Sequence, residues 1–448
     1  MKKTLSVVLA IMMLVQLCGL AVAETEDPTY AVIYTDPEGV RHDLTMTGDL
    51  ELTEDGEYLI SGDVDNYGGV IASWGASVTV EGNVTGYESA VNAYDESEVH
   101  VTGDVTGGYM ATYGDIVDSD GYAVYATGDA TVKVDGSASS CGTGVVTMDQ
   151  VYTGDQQTVF HDDGSYEIHT QSIFDVNTAD VFVEGDVTAE DDIGLNLSGE
   201  STVTVGGNVS GYDGMFLSDK VTVDVAGNVT GTEGAGIYTS NSIRSDETID
   251  LYDENDVWIG ISPESEDTEY VNQVKVNVGG DVTGGFAGID ARGASEISVG
   301  GNVSGGSDGT GAAVLAEGQV TVDIGGDVTS DGWAGVQVLP AWSDDASVLY
   351  DSDVKIRVDG NIETSCAALD VNAAAEITVA GNVTSDQATA INISEDGKSA
   401  TVVIGGDVSG GTQEVTLPEI DDEEQQRIDA LFTDVDVVVT DYLQNPCI

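Results

Sequence analysis

The stretch VTVEGNVT, residues 78–85, contains the pattern that decides the fold. Its first half, Val78-Thr79-Val80, alternates apolar and polar residues, which predicts a β-strand with one buried face. Its second half begins with Gly82 and alternates again, so we expect a corner and then a second strand. The short run Ala90-Val91-Asn92-Ala93 predicts a third strand before the pattern starts again.

The motif of Gly, then Asn or Asp, then Val or Ile occurs twelve times, and Gly136-Ser137-Ala138 is a degenerate thirteenth copy. One unit cannot bury its own valines, but stacked units can. The blades of a β-propeller need about 40–45 residues, which is longer than most of these units. The abundance of Gly, Val and Thr excludes an α-solenoid. We therefore expect an all-β chain that forms a parallel, right-handed β-helix of about thirteen coils, most of them about 20–25 residues long.

The position of the motif along the chain predicts the domain boundaries. Residues 1–23 have the basic start, apolar run and Ala-Val-Ala end of a signal peptide, so we expect an exported, extracellular protein. Residues 24–60 are predicted to form N-terminal capping strands, residues 61–412 the solenoid, and residues 413–448 a C-terminal cap. Residues 418–432 within that cap predict an acidic amphipathic helix. The mature chain has no further apolar stretch that is long enough to span a membrane.

Four long gaps between motif copies predict insertions that leave the rod at one corner, between the third strand of a coil and the first strand of the next. Such a corner is where binding loops are commonly found. Alternating residues on both sides of 162–164 predict a hairpin inside the second gap. The predicted insertions are residues 109–130, 149–180, 241–272 and 340–353. Their aromatic residues are candidate ligand contacts, and these are Tyr152, Phe160, Tyr252, Trp258 and Trp342.

The chain is strongly acidic, with 81 acidic residues, 12 basic residues and a formal net charge of −69. Such a charge opposes binding to nucleic acid and to anionic membranes, and it attracts cations. No cofactor is required by any motif. Weak calcium binding is expected in acidic loops outside the cell, at Asp162 and Asp163 and at Asp253 and Asp256, although none of these loops matches an EF-hand.

The residue after each motif glycine is expected to stack on its counterpart one coil away. No two aspartates are neighbours in this series, which fits the unfavourable energy of like charges directly opposite across strands. Asn amides can donate to the carboxylates beside them, so we interpret the series as a structural ladder rather than a row of calcium ligands. Its members are Asp63, Asn83, Asp104, Ser137, Asp186, Asn208, Asn228, Asp281, Asn302, Asp327, Asn361, Asn382 and Asp407.

Three cysteines follow the signal peptide, at positions 141, 366 and 447. Their odd number and wide spacing match no disulfide framework and no zinc motif. A single disulfide between two of them is the alternative, but we expect the cysteines to be small buried residues with unpaired thiols.

The repeat resembles the pectin-lyase-like β-helix families and the passenger domains of adhesins over about residues 50–412. The segment 52–62 (LTEDGEYLISG) is also similar to the lead-in of secreted β-helical carbohydrate-binding domains. These resemblances imply a rod that acts on or binds polysaccharide. None of the catalytic residue sets of the lyases or polygalacturonases matches this sequence. We therefore expect a secreted or surface-associated, adhesin-like binding scaffold, not an enzyme, that recognises carbohydrate or a partner surface through its insertions. The alternatives are a β-helical polysaccharide lyase or hydrolase and, less favoured, a Thr/Asn face that binds a crystalline lattice.

Overall fold

The computed structural model describes residues 29–108, 121–148, 150–160, 166–175, 177–240, 243–244, 247–252, 258–262, 269–270, 273–307, 309–340, 352–394, 400–410 and 436–437. For 150–160, 167–175, 243–270 and 436–437 it describes the backbone alone. The described residues form β-strands and no helix. They confirm the predicted all-β parallel β-helix.

The motif strands form a separate parallel sheet of thirteen strands, which we call the second face. Each strand follows a motif glycine, and its first residue is buried in most coils. Thirteen strands confirm the predicted number of coils and give a rod about 60 Å long at the usual spacing between strands. The strands are Val64–Asn66, Val84–Gly86, Val105–Gly107, Ala138–Ser140, Val187–Ala189, Val209–Gly211, Val229–Gly231, Val282–Gly284, Val303–Gly305, Val328–Ser330, Ile362–Thr364, Val383–Ser385 and Val408–Ser409.

The strands that precede the motif glycines form the first face. In Val274–Val278 the valines are buried while Lys275 and Asn277 are exposed, as the alternating sequence predicts. The strands of this face are Gly56–Ser61, Ala76–Glu81, Glu98–Val101, Thr131–Val134, Asp180–Val183, Thr202–Val205, Thr222–Val225, Val274–Val278, Val354–Val358, Ala375–Val379 and Thr401–Ile404.

The third face closes each coil. Two long strands, Ala287–Val299 and Ala312–Ile324, run without a break from the third face into the first face. The other third-face strands are Leu50–Leu52, Val70–Ala72, Ser89–Ala93, Tyr122–Ala126, Thr143–Thr147, Leu195–Leu197, Met215–Leu217, Ala235–Thr239, Ala334–Leu339, Ala367–Val371 and Ile391–Ile393. Valine, isoleucine, leucine and alanine from the three faces form one continuous core.

Both ends of the rod carry antiparallel strands. Thr29–Thr35 pairs with Arg41–Thr47 and also with Gly56–Ser61, the first-face strand of the first coil. At the other end, Asp436–Val437 pairs with Thr401–Ile404. An antiparallel strand on an end coil occupies backbone groups that would otherwise be open to pairing with another chain. The predicted helix at 418–432 lies outside the described residues.

The insertions at 149–180, 241–272 and 340–353 leave from the corner between the third and first faces, which we call the insertion corner. The assignment of 109–130 to that corner is wrong. Tyr122–Ala126 is itself a third-face strand, because it pairs with Ser89–Ala93 and Thr143–Thr147. The residues that lengthen this coil therefore precede its third-face strand in the chain, and 109–120 among them lie outside the described residues.

Two insertions form a four-stranded antiparallel sheet. The predicted hairpin is present, with Gln150–Phe160 paired to Tyr166–Asp175. The strand Tyr166–Asp175 then pairs with Glu247–Tyr252, which pairs with Trp258–Ser262. A separate two-stranded ladder joins Ile243–Arg244 to Glu269–Tyr270. The insertions at 149–180 and 241–272, which leave the rod three coils apart, thus share one sheet.

Cys366 is disulfide-bonded, and its partner lies outside the described residues. The expectation of an unpaired thiol is wrong at this position. The sequence did not predict this disulfide, because the number of residues between two cysteines does not determine the distance between them in the fold. In the part of the chain that the structure describes, no helix has the length and hydropathy needed to cross a membrane.

Candidate functional site

The corner between the first and second faces, the ladder corner, contains the predicted Asp/Asn series. A side-chain oxygen at each position accepts a hydrogen bond from the backbone N–H of the next position, one coil away. These twelve bonds are 2.6–3.2 Å long and join all thirteen positions from Asp63 to Asp407, with the Ser137 hydroxyl replacing a carboxamide in one of them. The ladder is therefore a line of side-chain acceptors for the corner backbone.

Three ladder asparagines also use their amide groups. The Nδ2 atoms of Asn208, Asn302 and Asn361 donate to the aspartate carboxylate of the preceding coil, over 2.9, 3.1 and 3.0 Å. An amide can donate to the carboxylate before it and still accept from the backbone after it, whereas an ionised aspartate only accepts. Within the described ranges, no group of three or more His, Cys, Asp or Glu residues is arranged to hold a metal ion.

The sheet built by the insertions places several of the predicted aromatic positions in one row. Phe160 is paired with Tyr166, Tyr166 with Tyr252, and Tyr252 with Trp258. Tyr152 lies farther along its strand, opposite Ile173. Apart from Tyr166, the side chains in this row are outside the described part of the chain. Trp342 and the predicted calcium ligands Asp162, Asp163, Asp253 and Asp256 lie wholly outside the described residues.

The corner between the second and third faces, which we call the aromatic corner, has exposed rings that the sequence reasoning missed. Of the seven large aromatic side chains that are well exposed in the described chain, five lie there, within three residues of the end of a motif strand. They are Tyr67, Tyr87, Tyr212, Phe286 and Trp333. Exposed aromatic residues gathered on one edge of a rod are typical of a binding surface. The signal in the sequence was their position, one to three residues after a motif strand.

Phe286 and Trp333 are two rings of this corner that are connected through the coil between them. They are 36% and 51% exposed, and they lie two coils apart, which corresponds to about 10 Å along the rod. The coil between them is joined to both. The Gly306 N–H donates to the Phe286 carbonyl over 3.0 Å, and the Trp333 N–H donates to the Gly311 carbonyl over 2.8 Å.

Glycine is required at position 311 by both conformation and space. Its φ is +74°, and an added Cβ would lie 3.0 Å from Cδ2 of Phe286 and closer still to its carbonyl oxygen. Phe286 and Trp333 therefore flank the loop of the intervening coil, in which Gly306, Gly309 and Gly311 all have a positive φ.

Comparisons with protein-family models, with curated proteins and with solved structures returned no match. The site must be interpreted from its own geometry.

A second group of interacting charged and aromatic side chains lies on the third face. Nε and Nη2 of Arg292 each donate to one carboxylate oxygen of Asp290 over 2.9 Å. The guanidinium carbon lies 5.2 Å from the ring centre of Tyr238, which is 5.1 Å from the ring of Phe216. Burial raises the pKa of Asp290, and the Arg292 guanidinium opposes that rise. Because both oxygens of Asp290 are engaged, this group is best explained as an ion pair that stabilises the third face.

Proposed function

We propose that this protein is an exported, extracellular binding scaffold that holds an extended polysaccharide along its aromatic corner. The observation that carries the proposal is the pair of exposed rings, Phe286 and Trp333, which lie two coils apart at one corner and are joined by backbone hydrogen bonds through the coil between them. Binding sites combine aromatic surface with a few polar groups, and the exposed carboxylates of Glu88 and Asp331 lie beside rings of this corner.

The spacing of the rings supports a chain-like ligand. Tyr212, Phe286 and Trp333 lie on coils six, eight and ten, so each step is about 10 Å along the rod. Extended β-linked polysaccharides repeat over a comparable length for each disaccharide. The apolar faces of sugar rings stack on aromatic side chains, as other planar and apolar groups do. A regular rod can therefore present successive rings to successive disaccharides.

The negative net charge of the chain limits which polysaccharides we expect it to bind. With 81 acidic and 12 basic residues, the rod repels uronate and sulfate polymers at low salt. Glu88 and Asp331 are exposed, and they lie one residue from Tyr87 and two residues from Trp333. Their carboxylates can accept hydrogen bonds from sugar hydroxyls. We therefore assign neutral or cationic polysaccharides as the ligand class.

We also propose that the protein is attached to a surface in an adhesin-like role. A relationship to the pectin-lyase-like families is part of the same proposal. The insertions supply a second candidate surface, through the row that contains Phe160, Tyr252 and Trp258. Calcium assistance at the acidic loops of these insertions is also part of the proposal.

A glycan array, probed with and without millimolar calcium, tests the ligand class. Neutral β-linked chains should bind, and uronate polymers should not. Phe286→Ala and Trp333→Ala should each weaken binding about tenfold or more, since loss of a central aromatic contact commonly costs about 1–2 kcal/mol or more. Matched controls are Phe182→Ala and Trp74→Ala, which remove exposed rings elsewhere on the rod. Unchanged circular dichroism and melting would show that each variant is folded.

The enzymatic alternative is tested in the same samples by following reducing ends and unsaturated products. Turnover of any polysaccharide would overturn the assignment as a scaffold. Equal loss of binding in the Trp333→Ala and Trp74→Ala variants would overturn the assignment to the aromatic corner.

A further inference from the structure

A cavity of about 550 Å³ lies at the N-terminal end of the rod, and its lining includes none of the five rings of the aromatic corner. The strands Thr29–Thr35 and Arg41–Thr47 form one side of it, and the first coil forms the other. Leu44, Met46 and Leu52 contribute apolar surface. The remaining lining residues are Tyr34, Asp36, His42, Glu51, Thr53, Glu54 and Tyr58.

Three aromatic rings form a continuous wall of this cavity. The Tyr34 ring stacks on Tyr58 with 4.6 Å between ring centres and an interplanar angle of 21°. On its other side it stacks on His42 at 5.6 Å and 25°. Cations are attracted to the faces of aromatic rings and not to their edges, and each of the two outer rings, Tyr58 and His42, has one face that Tyr34 does not cover.

The wall is held in place before any ligand arrives. The Tyr34 hydroxyl donates to the Asp55 carbonyl over 2.9 Å, and the Tyr58 hydroxyl donates to the Glu54 carbonyl over 3.1 Å. Gly56 has a φ of +142°, and a Cβ there would lie 2.5 Å from Cε2 of Tyr34, so only glycine admits the ring at this point. Burial raises the pKa of Tyr58 to about 12, which keeps that phenol neutral.

Carboxylates give the cavity a negative charge. Asp36, Glu51 and Glu54 line it, and its ten lining residues include no lysine and no arginine. One carboxylate oxygen of Asp36 lies 3.1 Å from Nε2 of His42, an interaction that fixes the imidazole against the wall. The acidic field of the whole chain adds to the attraction for small cations.

We propose that this cavity is a binding site for an alkylammonium group, with Tyr34, Tyr58 and His42 as its aromatic wall and Glu51 and Glu54 as its counter-charges. Apolar surface from Leu44 and Met46 accommodates the carbon atoms attached to the nitrogen. The group can belong to a quaternary amine, an amino sugar or a lysine side chain, all of which share this chemistry. The proposal does not depend on polysaccharide binding at the aromatic corner.

The test is a titration of the mature chain that carries ¹³C-labelled methionine methyl groups. The Met46 methyl lines the cavity, and Met148, at the insertion corner, is an internal reference. Choline should shift the Met46 signal in a saturable manner, and 3,3-dimethylbutan-1-ol, its uncharged isostere, should not. Glucosamine and Nα-acetyl-lysine amide, titrated separately, distinguish a sugar source from a protein source by their relative affinities.

Glu51→Gln and Glu54→Gln should each weaken choline binding about two- to fivefold, as expected for exposed charge pairs. Glu363→Gln, an exposed change on another coil, is the matched control and should have no effect. The proposal fails if the uncharged isostere shifts Met46 as strongly as choline does, or if no amine gives saturable binding. It also fails if the Glu363 variant weakens binding as much as the two cavity variants.

Discussion

Oδ1 of Asn302 accepts a hydrogen bond from the backbone N–H of Asp327 over 2.8 Å, while Nδ2 of the same asparagine donates to Asp281 over 3.1 Å. One side chain therefore connects three consecutive coils. The acceptor half of this arrangement repeats along the whole ladder, which explains why the motif accepts Asn, Asp and once Ser. Each has an oxygen at the short reach that the backbone of the next coil requires.

The first prediction concerns Asn302→Asp. This change keeps the acceptor for Asp327, removes the donor to Asp281 and creates three carboxylates in a row. We expect a loss of about 1 kcal/mol in the free energy of unfolding, from one lost charge-assisted hydrogen bond and two like-charge contacts. Chemical denaturation at low and high salt measures it, and salt should restore part of the loss.

The matched control is Asp327→Asn, which removes a charge from the same ladder and keeps the acceptor. It should leave stability unchanged or raise it slightly. If both variants are destabilised equally, the charge pattern of the ladder has no stabilising role.

Much of the fold was predictable because the repeat constrains it. The alternation in Val78-Thr79-Val80 and its equivalents determines which residues face inward, and a stack of such coils has one core. The hairpin of residues 150–175 was predictable in the same way, from alternation on both sides of Asp162-Asp163-Gly164. The strand Tyr122–Ala126 was harder to predict, because it lies in a long gap between motif copies that is typical of an insertion, although its alternation matches Ala90-Val91-Asn92-Ala93.

The candidate site was less predictable. The aromatic residues of the insertions cluster in the sequence, whereas Phe286 and Trp333 are 47 positions apart in the chain. Only the stacking of the coils brings them to one corner. The disulfide at Cys366 and the pairing of two insertions in one sheet depend on the same long-range register, which composition and spacing do not contain.

The second prediction concerns pH and Asp213. Burial raises the pKa of this carboxyl above its ordinary value of 3.8, and nearby Asp192 and Asp290 raise it further. The folded state then binds a proton more tightly than the unfolded state, so stability should increase as pH falls from 7 through the raised pKa towards 3.8. Below 3.8 the trend reverses, because the pKa values of Asp36 and Asp135 are lowered by their hydrogen-bonded partners.

Asp213→Asn tests this interpretation. The variant keeps an oxygen to accept the Ala235 N–H, a bond of 2.6 Å in the native chain, and it removes the half-buried charge. It should melt at a higher temperature than the native chain at pH 7 and show a flatter profile between pH 7 and 4. A profile as steep as that of the native chain would show that other groups cause the dependence.

The third prediction concerns the ion pair of the third face. Arg292→Ala leaves the buried carboxylate of Asp290 without its bidentate partner. We expect a loss of about 3 kcal/mol at neutral pH, the lower end of the range for a broken buried pair, because the guanidinium is partly exposed. Thermal melting measures it. The double variant Asp290→Asn/Arg292→Ala should recover most of the loss, and a double variant as unstable as the single one would contradict the explanation.

The fourth prediction tests the central claim most directly, by isothermal titration with neutral β-linked oligosaccharides of increasing length. Phe286 and Trp333 are about 10 Å apart along the rod, so a disaccharide covers one ring and a tetrasaccharide reaches both. Affinity should rise about tenfold or more between these lengths, and Trp333→Ala should abolish that rise while Trp74→Ala preserves it. Equal affinity for all lengths, or a rise that survives in Trp333→Ala, would contradict the proposal that the aromatic corner holds an extended polysaccharide.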